Sequence, residues 1–175
     1  MGLDLITTRS AVPIDAATMA NLINAIISSG GTTAHQKLYS VERMVKEYID
    51  SANGISCVVA EFDGEIVGFQ TLEWPYEEES ELPDNWVTFP DNWAIIATFV
   101  RQGQTGRGIG RALFRDTRMA AANSAVETID ATIRADNTGG LIYYSRMGFV
   151  DYKTAKDVPL DDGILVDRIS KRFDL

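Results

Sequence analysis

The sequence predicts a single α/β domain spanning residues 1–175, and three observations carry that prediction. Segments whose apolar residues alternate, as in a half-buried strand, interleave with segments whose apolar residues recur at i, i+3 and i+4, as in a helix packed on one side. No linker separates them, and a chain of 175 residues fits one domain. Charged residues make up 23% and apolar residues 45%, the balance of a globular chain with enough apolar surface for a core.

The elements follow in order. "LDLITTRS" (3–10) alternates as a strand does, and "IDAATMANLINAIISS" (14–29) is helical until "GGTT" stops it. A second helix is predicted over "SVERMVKEYIDSA" (40–52), capped by Ser40 and striped by Val41, Met44, Val45, Tyr48 and Ile49. "ISCVVAEF" and "IVGFQTLEW" flank Asp63-Gly64, a dipeptide suited to a tight hairpin turn. Between Trp74 and Asn92 the acid- and proline-rich "PYEEESELPDNWVTFPD" has no period and reads as a surface loop. "WAIIATFV" (93–100) is a strand, "RALFRDTRMAAANSA" a helix, and "VETIDATIRA" another alternating strand. "DNTGGLIYYSRMGFVDYKTA" is a short helix closed by Gly148 and followed by a strand, and "GILVDRISKRF" is the last strand. Strands and helices mixed in this order place helices against one sheet.

The totals exclude several classes. A net charge of −9 argues against a general nucleic-acid binder, which needs a basic face, while leaving room for one small anion. A single cysteine, Cys57, sits in an apolar run and is expected to be a buried thiol; it permits neither a disulfide framework nor a thiolate metal cluster. No metal is expected. No stretch has the length of a membrane span and the N-terminus lacks a signal pattern, so a cytoplasmic protein without membrane contact is expected.

The sharpest feature is "VRQGQTGRGIGRALF" (100–114), where Gly103, Gly106, Gly108 and Gly110 crowd the step from strand to helix. Glycine costs more backbone entropy on ordering than any other residue, so the density needs a reason. Strand, glycine loop and helix together bind phosphate, because free N–H groups and the positive helix end converge on the anion. A nucleoside-triphosphate loop requires Lys and Ser or Thr after its last glycine, and Ile109-Gly110 follow Gly108 instead. A dinucleotide fingerprint fails as well: its third glycine falls on Arg111 or on Leu113.

"QTGRGIGRAL" followed by "DNTGGLIYYSRMGF" resembles the GNAT superfamily of acetyl-coenzyme A dependent N-acetyltransferases. Its phosphate-loop glycines fall on Gly108 and Gly110, and its Asn, Tyr and Gly-Phe fall on Asn137, Tyr144, Gly148 and Phe149. The loop's first position, Arg or Gln in the family, is Thr105 here. "SSGGTTAHQ" is similar to a segment of the phosphinothricin-acetyltransferase-like branch. The resemblance implies a GNAT-like fold: a central mixed, mostly antiparallel sheet of about seven strands, flanked by helices, with a splayed fourth strand.

It also implies direct transfer of acetyl from acetyl-CoA to the amine of a small molecule, an amino acid or an analogue of one, with a homodimer allowed by exposed edge strands. Main-chain N–H groups of Thr105, Gly106, Arg107, Gly108, Ile109, Gly110 and Arg111 are the expected pyrophosphate donors, with added charge from Arg107 and Arg111. Phe99 and Val100 map to the splayed strand and are expected cofactor contacts, their ladder groups freed by a bulge to face the pantetheine arm; Val100 is the expected backbone oxyanion donor. Tyr144 maps to the general acid, Tyr143 reads as packing, and Asn137 is a helix cap or cofactor contact. The family's fourth-strand glutamate is missing from "WAIIATFV", leaving Glu73 as the candidate base. His35 is a candidate acceptor contact, and Glu77, Glu78, Glu79 and Glu81 could attract a cationic acceptor. The missing glutamate and Thr105 also suit an alternative, an acyl-CoA-binding sensor or regulatory module without turnover.

Overall fold

The computed structural model describes residues 6–75 and 89–175. The acidic run Glu77, Glu78, Glu79 and Glu81 lies outside the described residues. The strands are β1 (Thr7–Ser10), β2 (Gly54–Phe62), β3 (Glu65–Glu73), β4 (Trp93–Val100), β5 (Thr128–Arg134), β6 (Val150–Pro159) and β7 (Leu165–Asp174). The helices are α1 (Ala16–Ser29), α2 (Val41–Met44, continued by a π turn, Val45–Ile49), α3 (Ile109–Asn123) and α4 (Thr138–Arg146). The seven strands of the described residues form one mixed, mostly antiparallel sheet, as the family resemblance implied, and their order is β1-β2-β3-β4-β5-β7-β6.

Local chemistry sets most of these elements. Asp63 and Gly64 both take positive φ, 51° and 77°, which suits the right-handed twist of the β2–β3 hairpin. Ser40 caps α2 by accepting the Arg43 N–H at 3.1 Å. The sequence stripe is only partly used: Met44 and Tyr48 are buried, whereas Val41 is exposed. The Asp50 N–H reaches the Val45 carbonyl, five residues back, and this widened turn lets Tyr48 enter the core.

Side chains of β3 alternate between two cores. Phe69 packs with Met19, Ile23, Met44 and Tyr48 of α1 and α2. Gly68 and Leu72 face α3; a Cβ on Gly68 would stand 3.0 Å from both the Ile109 side chain and the Phe99 carbonyl, so glycine permits the close approach of α3. Beneath α3 and α4, Leu72, Ala94, Ile96, Phe114, Ile129, Tyr144 and Phe149 make the second core. No helix among the described residues is long and apolar enough to cross a membrane.

The functional geometry begins where the sheet divides. β4 and β5 run parallel but pair only from Trp93–Ile95 to Thr128–Asp130. Beyond that point β3 keeps β4 through Val100, while β7 keeps β5 through Arg134. Two antiparallel halves therefore diverge as a wedge. The expected bulge is absent: β4 holds an unbroken register against β3 from Ile95 to Val100, and divergence from β5 is what frees its ladder groups.

Candidate active site

The phase of β4 decides which groups face the wedge. The Arg101 N–H donates to the Val67 carbonyl at 2.8 Å. In an antiparallel pair such bonds recur at every second residue, so the Phe99 N–H also faces β3, while those of Thr98 and Val100 point into the wedge. Val100 is thus placed as a main-chain donor to that space. Phe99 is not: its ring packs 4.9 Å from that of Phe69, and its N–H belongs to the ladder.

The glycine loop continues β4 to the rim of the wedge. Gly103, Gly106 and Gly108 have φ of 77°, 82° and 82°, and a Cβ on any of them would meet nothing within 4 Å. Backbone handedness, not crowding, demands glycine there. Gly108 is the N-cap of α3. Among the described residues the N–H groups from Thr105 through Arg111 donate to no main-chain carbonyl, and the next, Ala112, returns to Gly108. Ile109, buried with Val58, Ala60, Val67 and Leu113, pins this run of donors to the sheet. Arg107 lies over the Phe62 ring at 5.5 Å. Arg111 turns the other way and lines an open cavity of about 570 Å3 with Arg115, Arg118 and Arg146. Their spacing along α3 is visible in the sequence, but only the packing of α4 brings Arg146 to them.

Gly110 serves a different purpose. A Cβ there would lie 2.4 Å from Cε2 of Tyr143. The Tyr143 hydroxyl donates to the Gly110 carbonyl at 2.9 Å and accepts from Nε2 of Gln70 at 3.1 Å. Tyr143, expected as packing, therefore links α4 to the start of α3. We expect Gly110→Ala to destabilise the fold by about 1–3 kcal/mol through overpacking and lost hydrogen bonds, lowering the thermal midpoint by several degrees. Gly139→Ala is the control: its added Cβ would meet only Asn137 Oδ1, at 3.9 Å, and the midpoint should hold or rise. Melting curves of the two variants test the pair.

Asn137 caps α4, its Oδ1 accepting the Gly140 N–H at 2.9 Å, while its Nδ2 donates to the Thr32 carbonyl at 2.8 Å. Its side chain thus ties α4 to the loop after α1. Tyr144 is buried, its ring centroid 4.8 Å from that of Tyr143, and its hydroxyl shares a 2.8 Å hydrogen bond with Thr98 Oγ1. Burial pushes its pKa upward, so the phenol keeps its proton at neutral pH. Gln70 Nε2 donates to the same Thr98 oxygen at 2.7 Å. Gln70 and Thr98 read as ordinary strand residues in the sequence, and only the β3–β4 register brings them together.

The opposite face carries a second polar set. Glu73, Ile95 and Asp130 form one row across β3, β4 and β5. Burial raises the Glu73 pKa to about 7, and its Oε1 has no hydrogen-bond partner among the described residues. Asp130, raised by burial to about 6, accepts from the Tyr152 hydroxyl at 2.7 Å and from Thr132 at 3.0 Å. His35 lies within hydrogen-bond range of the Tyr39 and Tyr48 hydroxyls, at 3.4 and 3.3 Å, against the Phe99 ring. Burial lowers its pKa, so the imidazole is neutral at pH 7. Arg134 and Arg168 stand directly opposite on β5 and β7. Asp136 neutralises Arg134, whereas Arg168 has no ion pair and a buried, unpartnered Nε among the described residues. Cys57 is buried, which raises its thiol to about 12.

The model of the acetyltransferase (GNAT) family matches residues 26–149. No curated protein matches the chain. Solved structures of similar shape include a ribosomal-protein-alanine N-acetyltransferase from Brucella melitensis, with a TM-score of 0.80 at 20% identity over 97% of this chain and 99% of that one. A GNAT superfamily phosphinothricin acetyltransferase from Sinorhizobium meliloti, in complex with AcCoA, gives 0.79 at 16% identity over 97% and 88%. A putative acetyltransferase from Salmonella typhimurium with its cofactor acetyl-CoA gives 0.77 at 17% over 97% and 94%. At such identities the likeness is one of fold.

Proposed function

The chain belongs to the GNAT acetyltransferase family, and on that premise we propose that it moves an acetyl group from acetyl-coenzyme A to the amine of a small molecule. The observation that carries this reading is the unspent run of N–H groups from Thr105 to Arg111 at the mouth of the β4–β5 wedge. A pyrophosphate suits it: the donors are free of main-chain acceptors among the described residues, the helix adds its positive end, and Gly106 and Gly108 leave the main chain bare. Bound there, the cosubstrate supplies an activated acetyl thioester. The Val100 N–H in the wedge is held for the acetyl oxygen on which negative charge grows.

Two side chains manage the protons. Tyr144, protonated and held by Thr98 beside the wedge, donates to the departing sulfur. Glu73 accepts the proton of the acceptor amine. It lies opposite Ile95, three residues and about 10 Å of strand from Thr98, so water relays the transfer. Arg168, half-buried with its Nε unpartnered and without an ion pair among the described residues, supports the finer reading that the acceptor is an amino acid or an analogue, because such a cation suits a single anion such as a carboxylate.

A thiol-release assay over amines, free amino acids and their carboxamides tests this reading. Acceptor-dependent release is expected, with an acid favoured over its amide. Tight binding of acetyl-coenzyme A with no release from any acceptor would instead identify a sensor.

A further inference from the structure

The hydroxyls around Tyr144 form a chain whose direction is fixed at its far end. The Gly110 carbonyl can only accept, so the Tyr143 hydroxyl gives it its one proton. Toward Gln70, Tyr143 can therefore only accept, and Gln70 must present its amide NH2 rather than its oxygen. The second N–H of the same nitrogen then goes to Thr98 Oγ1. Turning the amide over would aim its oxygen at a hydroxyl whose proton is already committed. Gln70 is 0% exposed, so no water competes for either donor.

We propose that Gln70 is a positioning residue that aims the Tyr144 proton at the departing sulfur. Thr98 Oγ1 accepts from Gln70, and among the described residues the Tyr144 oxygen is the one hydrogen-bond partner left for its proton, so that proton is assigned to Tyr144. That oxygen accepts, and its own proton points away from Thr98 toward the wedge. On transfer the Tyr144 O–H bond breaks and an S–H bond forms. The phenolate left behind keeps the Thr98 hydrogen bond until solvent returns a proton; Gln70 and Thr98 exchange none. The inference rests on the reading of Tyr144 as the acid.

The test uses the full-length protein with acetyl-coenzyme A and the best acceptor from the panel, in a double-mutant cycle. Gln70→Leu and Thr98→Val should each lower kcat about tenfold, the loss of one oriented donor, with KM for acetyl-coenzyme A changed less than twofold. Thr98→Ser, which keeps the hydroxyl, should retain most of kcat. In a Tyr144→Phe background, Gln70→Leu should cost less than a further twofold. An equal loss in both backgrounds, or loss through KM alone, overturns the proposal. Full activity of Tyr144→Phe overturns the reading beneath it. Independently of turnover, the Tyr144 Cζ resonance of 13C-tyrosine-labelled free protein should shift in Gln70→Leu and Thr98→Val but not in Gly139→Ala; an unmoved resonance counts against the chain.

Discussion

Tyr144→Phe should lower kcat about 10²- to 10³-fold and change acetyl-coenzyme A affinity less than threefold. The variant removes one oxygen and its proton and nothing else. Its ring remains packed against Phe149, with centroids 5.1 Å apart, so the second core keeps its volume. Thr98 Oγ1 still accepts from Gln70 at 2.7 Å, which limits the damage to the lost phenol. The N–H groups from Thr105 to Arg111, proposed to hold the pyrophosphate, are main-chain groups and are untouched, which is why affinity should hold. A fall in affinity as large as the fall in kcat would mean that Tyr144 binds the cosubstrate rather than donating a proton. Burial that raises the phenol's pKa keeps the acid protonated across the neutral range, so this donor should impose no alkaline limb below about pH 10, the free tyrosine value. Single-turnover rates and calorimetry with the wild type and the variant separate the two outcomes.

Much of this arrangement is legible in the amino-acid sequence. Asp63-Gly64 marks the hairpin because that dipeptide suits a tight two-residue turn, and the density of glycines before α3 marks a loop with a use beyond a turn; that Gly103, Gly106 and Gly108 are left-handed is visible only in the structure. The wedge was not legible from periodicity, because β4 and β5 are not joined by a hairpin and their pairing stops after three residues. It entered only through the family likeness. Phe99 was misplaced for a related reason: which face of a strand's ladder an N–H takes depends on register, and register is set by the neighbouring strand. Gln70 illustrates the same limit more sharply. Nothing in "IVGFQTLEW" separates a buried, double-donating amide from a polar strand residue facing water, and its partners Thr98 and Tyr143 arrive from β4 and α4. Arg168 is likewise ordinary in "LVDRISKRF" until Asp136 is seen to neutralise its opposite number, Arg134.

Glu73→Gln should move activity and stability in opposite directions. Burial holds the Glu73 carboxyl at about 7, against 4.5 in the unfolded chain, with Glu47 adding to the rise and Ser51 opposing it. Between those two values the native state binds more protons than the unfolded state, so this residue's contribution falls as pH climbs from 4.5 through 7 and is level above. The neutral amide escapes that loss. After allowance for the partial exposure of the site, Glu73→Gln should be more stable than the wild type by about 1–2 kcal/mol at pH 8, and indistinguishable from it at pH 4. Activity behaves in reverse, since only the carboxylate can take the acceptor's proton. Wild-type kcat/KM for the acceptor should rise with pH through about 7; in the variant it should fall about 10²-fold at pH 8 and retain only the limb of the acceptor's own amine. Thermal melts and rate profiles at both pH values read the two effects from the same samples. A variant that is stabilised but fully active would leave Glu73 a buried carboxyl with no part in the reaction. One that is inactive but not stabilised would mean that the carboxylate is well solvated in the free protein, and that its raised pKa is not what tunes the base.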